Sequence, residues 1–396
     1  MQETPTPQEQ PVETLKGRRR ITIGLPAATV DGERRFPLTP EGAAMLAERG
    51  FEVWLESGAA SAIHFSDDAY ARAGVRICNH AEALSRDMVL HLPAISAEDA
   101  AKMRQGAVLL SLLHVESRSA ESIRELLRRH IITIALDLVE DEGGRRPFAD
   151  ILREVDGRAA MAIASSLLAD PVHGKGILLG GVAGIVPCEV TVIGSDIAAV
   201  AASRSAIGLG ATVRMFDNDF YGLRRAIENL SSGGGDRVIA SALHPRVLAS
   251  ALRSADVVIA TPTRHPLEIG IDMVAEMKRG VIAFDLTGRR NCPPFPGLRR
   301  VDLAARDGRY HMADALASCY VNAGSAVPRT AAMALTSTLT TMFDDVIVCE
   351  GMTNALRFNA GLSRAVLTFL GKPVNTDIAA ILKCRCIDIN LFLHCS

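Results

Sequence analysis

The sequence predicts an α/β protein built on two doubly wound parallel sheets, and two observations carry that prediction. Between residues 20 and 136, short apolar runs alternate with helix-patterned segments, the rhythm of a parallel sheet with helices on both faces. From Glu189 a second unit begins with a strand, a glycine turn, an alanine-rich helix and another strand tipped by an acid. A chain of 396 residues that is 48% hydrophobic is long enough for two domains, each with its own core.

In the first block the pattern predicts strands at 20–25, 52–56, 75–77, 88–92, 107–112 and 132–136. Helices are predicted between them at 40–49, 67–73, 97–104 and 120–130, with a loop over 31–36. A polar turn at 140–146 is followed by a helical stretch, 148–168, that bridges to the second block. The glycine-rich loop 173–184 leads into that block, whose sheet is extended by strands at 257–260 and 281–285. The serine and glycine cluster 231–235 reads as a surface loop. Beyond Asn322, segments 328–343, 353–370 and 376–382 read as helices that return to the first block.

Composition narrows the function. A net charge of −2 and a pI near 6.6 give no field for nucleic acid or a membrane surface. Residues 1–17 are polar and proline-rich, a disordered arm and not a signal peptide. No later segment reads as long and apolar enough to span a membrane, the most apolar being 177–194. Eight scattered cysteines show no paired metal spacing, so the expectation is no metal site and a reducing cytoplasm. The tail KCRCIDINLFLHCS (383–396) is either a packed terminal strand or an irregular extension.

The chemistry-bearing window is CEVTVIGSDIAAVAASRSAIGLGATVRMFDND (188–219). It reads as a Rossmann-like unit: Gly194 turns the chain, Ser195, Asp196 and Ile197 lead into the helix, and Asp217 follows 23 residues after Gly194. That is about the spacing at which an acid meets the ribose hydroxyls of NAD. In the G-x-G-x-x-G pattern the second glycine lets backbone approach the pyrophosphate. Asp196 holds that position and Ala199 the third, so a carboxylate is expected to face the pyrophosphate and weaken or abolish cofactor binding. NADP is disfavoured, because Asp217 would repel a 2′-phosphate.

Four further stretches carry a resemblance: RRFPLTPEGAAMLAERGFEV (34–53), GAVLLSLLHVES (106–117), GKGILLGGVAGIVPCEVTVIG (174–194) and NAGSAVPRTAAMALTSTLT (322–340). In order and spacing they resemble alanine dehydrogenase and the α-subunit of proton-translocating nicotinamide nucleotide transhydrogenase. Lysine-forming saccharopine dehydrogenase and carboxyethylornithine synthase are relatives of that family. The resemblance covers about residues 20–382. It implies a discontinuous substrate domain, 18–147 plus 326–396, around an NAD-binding domain, 148–325, with the site in the cleft between them.

The resemblance also implies roles. Arg35 stands at the arginine that binds the substrate carboxylate, and a guanidinium suits a carboxylate by offering two parallel N–H donors. His114 stands at the catalytic histidine, a general acid or base. Asp285 keeps the first acid of a D-x-A-x-D-Q-G-G segment, while Arg289 falls near the second and offers a new anionic clamp. Pro93 replaces the substrate-binding lysine of a K-x-K-E-P segment, leaving His91 or Lys102 as substitutes. Asn322 begins the turn, Asn322 to Ser325, that lies beside the nicotinamide. Thr261, Leu286, Val321 and Asn322 join Gly194, Ser195, Asp196, Ile197 and Asp217 as expected cofactor contacts.

The expected function is an NAD(H)-dependent oxidoreductase acting on a C–N bond, of the amino acid dehydrogenase or imine reductase type. Its substrate carries a carboxylate and is not alanine. The alternative is a divergent member that has lost hydride transfer and works as a lyase, a cyclase or a non-catalytic binding subunit. A homo-oligomer, dimer or hexamer, is implied by the family.

Overall fold

The computed structural model describes residues 20–28, 33–113, 115–231, 238–264, 268–289, 292–305, 318–349 and 351–393. The expected arm, 1–17, and His114 lie outside the described residues. The strands are β1 (Thr22–Leu25), β2 (Glu52–Glu56), β3 (Arg76–Cys78), β4 (Met88–Leu90), β5 (Val108–Ser111), β6 (Ile132–Ala135), β7 (Glu189–Ile193), β8 (Thr212–Phe216), β9 (Val238–Ser241), β10 (Val257–Ala260), β11 (Ile282–Asp285), β12 (Arg299–Asp302), β13 (Ser318–Val321), β14 (Val366–Phe369) and β15 (Lys372–Pro373). They form two sheets, in the orders β15-β14-β6-β5-β4-β1-β2-β3 and β12-β13-β11-β10-β7-β8-β9.

The second sheet is parallel in every described pair. Its β9, β12 and β13 were not foreseen. In the first sheet β14 pairs antiparallel with both β6 and β15, which corrects the expected helix at 353–370. That segment is a helix, Met352–Phe358, then a short helix, Ala360–Ser363, and then the strand Val366–Phe369 with all four residues buried. A four-residue apolar run has no periodicity of its own, and here its partner strand comes from far earlier in the chain. The tail is packed but not as a strand: Asn390–Leu393 is one helical turn whose Leu393 joins the first core.

The first core gathers Leu25, Leu38, Leu55, Leu110 and Ile134 with Leu335, Leu339 and Phe343 of the helix Pro328–Val348. That helix is long and apolar enough to cross a membrane by length and composition, contrary to the expectation that no segment would be. Half of its apolar window is buried in this core, so its apolarity is spent inside the domain. N- and C-terminal pieces of the domain are also tied by hydrogen bonding: Thr39 caps the helix Pro40–Glu48, and its N–H donates to Thr336 Oγ1 at 2.9 Å.

A 23-residue helix, Pro147–Ala169, joins the two sheets and packs along the helix Ile197–Gly208 that follows β7. Gly157 permits this closeness. A Cβ there would collide with the carbonyl of Ala198 and lie 3.0 Å from the Ala202 nitrogen.

Candidate active-site cleft

Parallel strands end on one edge, so the sheet brings sequence-distant residues into a row. Ile193 is in register with Phe216 and Ala260, Ala260 with Asp285, and Asp285 with Val321. The expected cofactor residues Gly194, Asp217, Thr261, Leu286 and Asn322 are each the next residue along. This is the carboxyl edge at which doubly wound sheets bind ligands.

Gly194 turns with φ +115°, its N–H donating to Phe216 O at 2.8 Å. A Cβ there would strike the Thr261 hydroxyl, so the position demands glycine twice over. Asp196, expected to face the pyrophosphate, has a role within the chain itself. It is the N-cap of the helix, with Oδ1 accepting from Ala199 N at 3.0 Å. Oδ2 is buried, meets no hydrogen-bond partner within ordinary distance among the described residues, and has Arg153 Nε 4.0 Å away. Burial raises the Asp196 pKa; the Ala199 N–H, the Thr261 hydroxyl and Arg153 pull against the rise, and Asp217 adds to it.

Asp217 is buried at the tip of β8. Its Oδ2 accepts from Ser195 Oγ at 2.6 Å and its Oδ1 from Asp219 N at 3.0 Å. A hydroxyl donating to this carboxylate is the bond a ribose would make, and Ser195 makes it within the chain.

At the other end of the row, Asp285 Oδ1 accepts from the Thr287 N–H and hydroxyl, at 2.9 and 2.6 Å. Its buried Oδ2 makes no hydrogen bond among the described residues and has Arg300 Nη1 at 3.9 Å. Arg289 is exposed, with its N–H on Thr287 Oγ1; the cation that pairs with the acid among the described residues is Arg300. Arg300 lies on β12, across β13 from β11, and without the strand there was no signal for it. Asn322 takes a left-handed φ of 58° and gives its side-chain N–H to Asp302 Oδ1 at 2.7 Å. Val321, the last residue of β13, is buried, and Ile197 opens the helix on its exposed side.

Across the cleft, Arg35 is 12% exposed and gripped by Glu33, Nε to Oε1 at 2.8 Å and Nη2 to Oε2 at 2.5 Å. Ser325 Oγ, from the turn after β13, donates to the same Glu33 Oε1 at 2.9 Å. Burial works against the charge of Arg35, but Glu33, with Asp156 and Asp137 farther off, raises its pKa overall. Glu33 holds one side of the guanidinium, and Nη1 makes no hydrogen bond among the described residues. Asp156, on the bridging helix, accepts from Gly324 N at 2.8 Å, and burial raises its pKa while Arg35 opposes the rise.

The missing lysine has no replacement among the residues considered. His91 is buried, its Nδ1 paired with Pro93 O at 3.2 Å, and burial lowers its pKa. Lys102 is held by Glu98 at 2.8 Å and Asp99 at 3.3 Å. The backbone leading to residue 114 is clamped from both sides. Leu113 N donates to Asp137 Oδ1 at 2.8 Å, while buried Arg118 donates to Leu113 O, Leu112 O and Ser111 Oγ at 2.7 to 2.8 Å. Burial pushes Arg118 down to about 10. Sequence reasoning missed Arg118, since nothing marks an isolated arginine as buried.

At the end of β2, Glu56 Oε2 accepts from Ala27 N at 2.6 Å and pairs with His80 Nδ1 at 2.7 Å, and His80 Nε2 pairs with Asp99 Oδ1 at 3.0 Å. Burial lowers the His80 pKa, but the two carboxylates outweigh it and raise it; Asp99 is lowered in return, against its burial. A raised histidine stabilises the fold below its unfolded pKa, near 6.5, and loses that contribution as pH rises through the folded value. His80→Gln is therefore expected to destabilise most in mildly acid solution and least in alkaline solution, in urea melts at a series of pH values. A pH-independent difference would refute the charged pairing.

With this geometry in place, two family models account for most of the chain: Alanine dehydrogenase/PNT, N-terminal domain, over residues 24–153, and Alanine dehydrogenase/PNT, C-terminal domain, over residues 160–376. The chain belongs to the alanine dehydrogenase/PNT family. It is 29% identical over 357 residues to an alanine dehydrogenase of Mycolicibacterium smegmatis, covering 88% of this chain and 94% of that one. To the alanine dehydrogenase of Geobacillus stearothermophilus it is 29% identical over 355 residues, 88% and 93% of the two chains. The fold matches a solved L-alanine dehydrogenase with a TM-score of 0.78 at 23% identity, over 92% of this chain and 99% of that one. It matches a transhydrogenase from Sinorhizobium meliloti at 0.70 and 20% identity, over 90% and 99%. This family member is thus an alanine dehydrogenase-like oxidoreductase, in a family that is NAD-dependent.

Proposed function

We propose that the chain is an NAD(H)-dependent oxidoreductase acting on the C–N bond of a carboxylate-bearing substrate other than alanine. One observation carries the reading: Arg35, nearly buried, is oriented by Glu33, to which Ser325 of the nucleotide side also donates, and its Nη1 makes no hydrogen bond among the described residues. A substrate carboxylate would meet that end of the guanidinium. A substrate other than alanine follows from Pro93, since neither His91 nor Lys102 restores the second cation.

The cofactor residues fit a dinucleotide at three points: the glycine-only turn at Gly194, the acid at Asp217, and the row of strand ends through Thr261, Leu286, Val321 and Asn322. When bound, the nicotinamide supplies the hydride. Ser195 would yield its bond with Asp217 to the ribose, Arg35 would hold the substrate carboxylate, and His114, from its place in the sequence, would move the proton. Asp285, fixed by Thr287, would lie beside the reacting end. We place the enzyme in the cytoplasm as a homo-oligomer.

The test is a melting series with NADH followed by a substrate panel. Cofactor at 100 times Kd stabilises by about 2.7 kcal/mol, a clear shift. Oxo acids with ammonium should then consume NADH, and a longer or branched one should exceed pyruvate. Pyruvate as the best substrate would overturn the choice of substrate. One observation favours a second reading without hydride transfer, as a lyase, cyclase or binding subunit: Asp196 in the pyrophosphate turn. No melting shift with NADH at any pH would decide for it.

A further inference from the structure

The chain crosses between its two domains at two places, and one turn ties both crossings to the substrate arginine. The first crossing is the helix Pro147–Ala169; the second is the turn Ala323–Ala326, between β13 and the helix Pro328–Val348 that enters the first core. Gly324 N donates to Asp156 Oδ1 of the first crossing at 2.8 Å, and Gly324 lacks the Cβ that would strike that oxygen. Its neighbour Ser325, 2% exposed, donates from Oγ to Glu33 Oε1 at 2.9 Å. That oxygen also accepts from Arg35 N at 2.9 Å and Arg35 Nε at 2.8 Å, while Oε2 accepts from Nη2 at 2.5 Å. Glu33 thus fixes the plane of the guanidinium, and Ser325 holds Glu33 from the nucleotide side.

We infer that Ser325 is a positioning residue that makes cofactor and substrate binding mutually dependent, by linking the turn at the cofactor edge to Glu33 and through it to Arg35. The inference rests on the NAD-dependent reading above. The turn begins at Asn322, directly after Val321, at the end of the row of strand tips that runs from Gly194 through Leu286. A nicotinamide seated on that row would hold the turn still, the turn would hold Glu33, and Arg35 would meet a carboxylate with its fork already oriented. Two sites that order the same element each gain affinity when the other is filled. Removing the Ser325 hydroxyl cuts this link and little else, because Glu33 keeps every bond from Arg35.

Calorimetry on the full chain, as wild type and as Ser325→Ala, tests this with NAD+ and an oxo acid, both already oxidised, so that no hydride can pass between them. The oxo acids are pyruvate, 2-oxohexanoate and 2-oxoglutarate. For wild type, at least one of them at saturation should tighten NAD+ binding about tenfold, within the usual range for coupled sites. Ser325→Ala should bind NAD+ alone as tightly as wild type does, while that gain falls to about twofold or less. A merely structural serine would lower the melting temperature or weaken NAD+ binding by itself and leave the gain intact. That result, or a wild type whose NAD+ affinity responds to none of the three oxo acids, overturns the inference alone. Failure of wild type to bind NAD+ at all overturns it together with the NAD-dependent reading.

Discussion

Arg35→Met is expected to destabilise the fold by about 3–5 kcal/mol, the usual cost of removing one partner of a buried ion pair. Glu33 would keep its bond from Ser325 but lose both bonds from the guanidinium. Urea melts would show a lower midpoint at unchanged slope. Glu33→Gln with Arg35→Met should recover part of the loss, with a coupling of about 1–3 kcal/mol in the double-mutant cycle. Additive effects would mean that the pair is not formed in solution. With a substrate identified, Arg35→Lys should be the informative functional variant: it keeps the charge but not the planar fork, so KM should rise for carboxylate substrates even where the protein remains folded.

Gly157→Ala is expected to destabilise by about 2–3 kcal/mol, within the range for overpacking. Helix propensity argues the other way, since alanine is better than glycine by about 1 kcal/mol inside a helix. Packing wins because the added methyl meets the backbone of Ala198 and Ala202 and not a flexible side chain. The obstruction lies one turn from Asp196, so parting these helices should also weaken NADH binding. Gly208→Ala is the control. Gly208 ends the facing helix, Ile197–Gly208, with nothing near its missing Cβ, and the same substitution there should leave stability unchanged or slightly raise it. A stabilised Gly157→Ala in the same urea series would show that the two helices are not in contact as described.

Much of the cleft was legible in advance because its signals are local. A turn that needs glycine, an acid at the tip of the next strand and an arginine before a helix-capping threonine are each marked within a few residues, and the sheet then placed Gly194, Asp217 and Asp285 on one edge. Arg289 shows where such reading fails: its neighbour Asp285 in the sequence motif is served in space by Arg300 from two strands away. β14 fails for the same reason, as a four-residue apolar run whose identity depends on β6.

Asp196 divides between the two kinds of knowledge. Its type and position in the turn follow from the chain alone, because they depend on spacing from Gly194 and on the helix that begins at Ile197. Its orientation does not. Whether that carboxylate points at a ligand or caps a helix, and whether an arginine or another acid stands beside it, depends on Arg153, Asp156, Asp217 and Thr261, residues of three other elements. Electrostatics and burial are set by neighbours in space, so the lineage could be read along the chain while the charge balance of the cleft needed the fold.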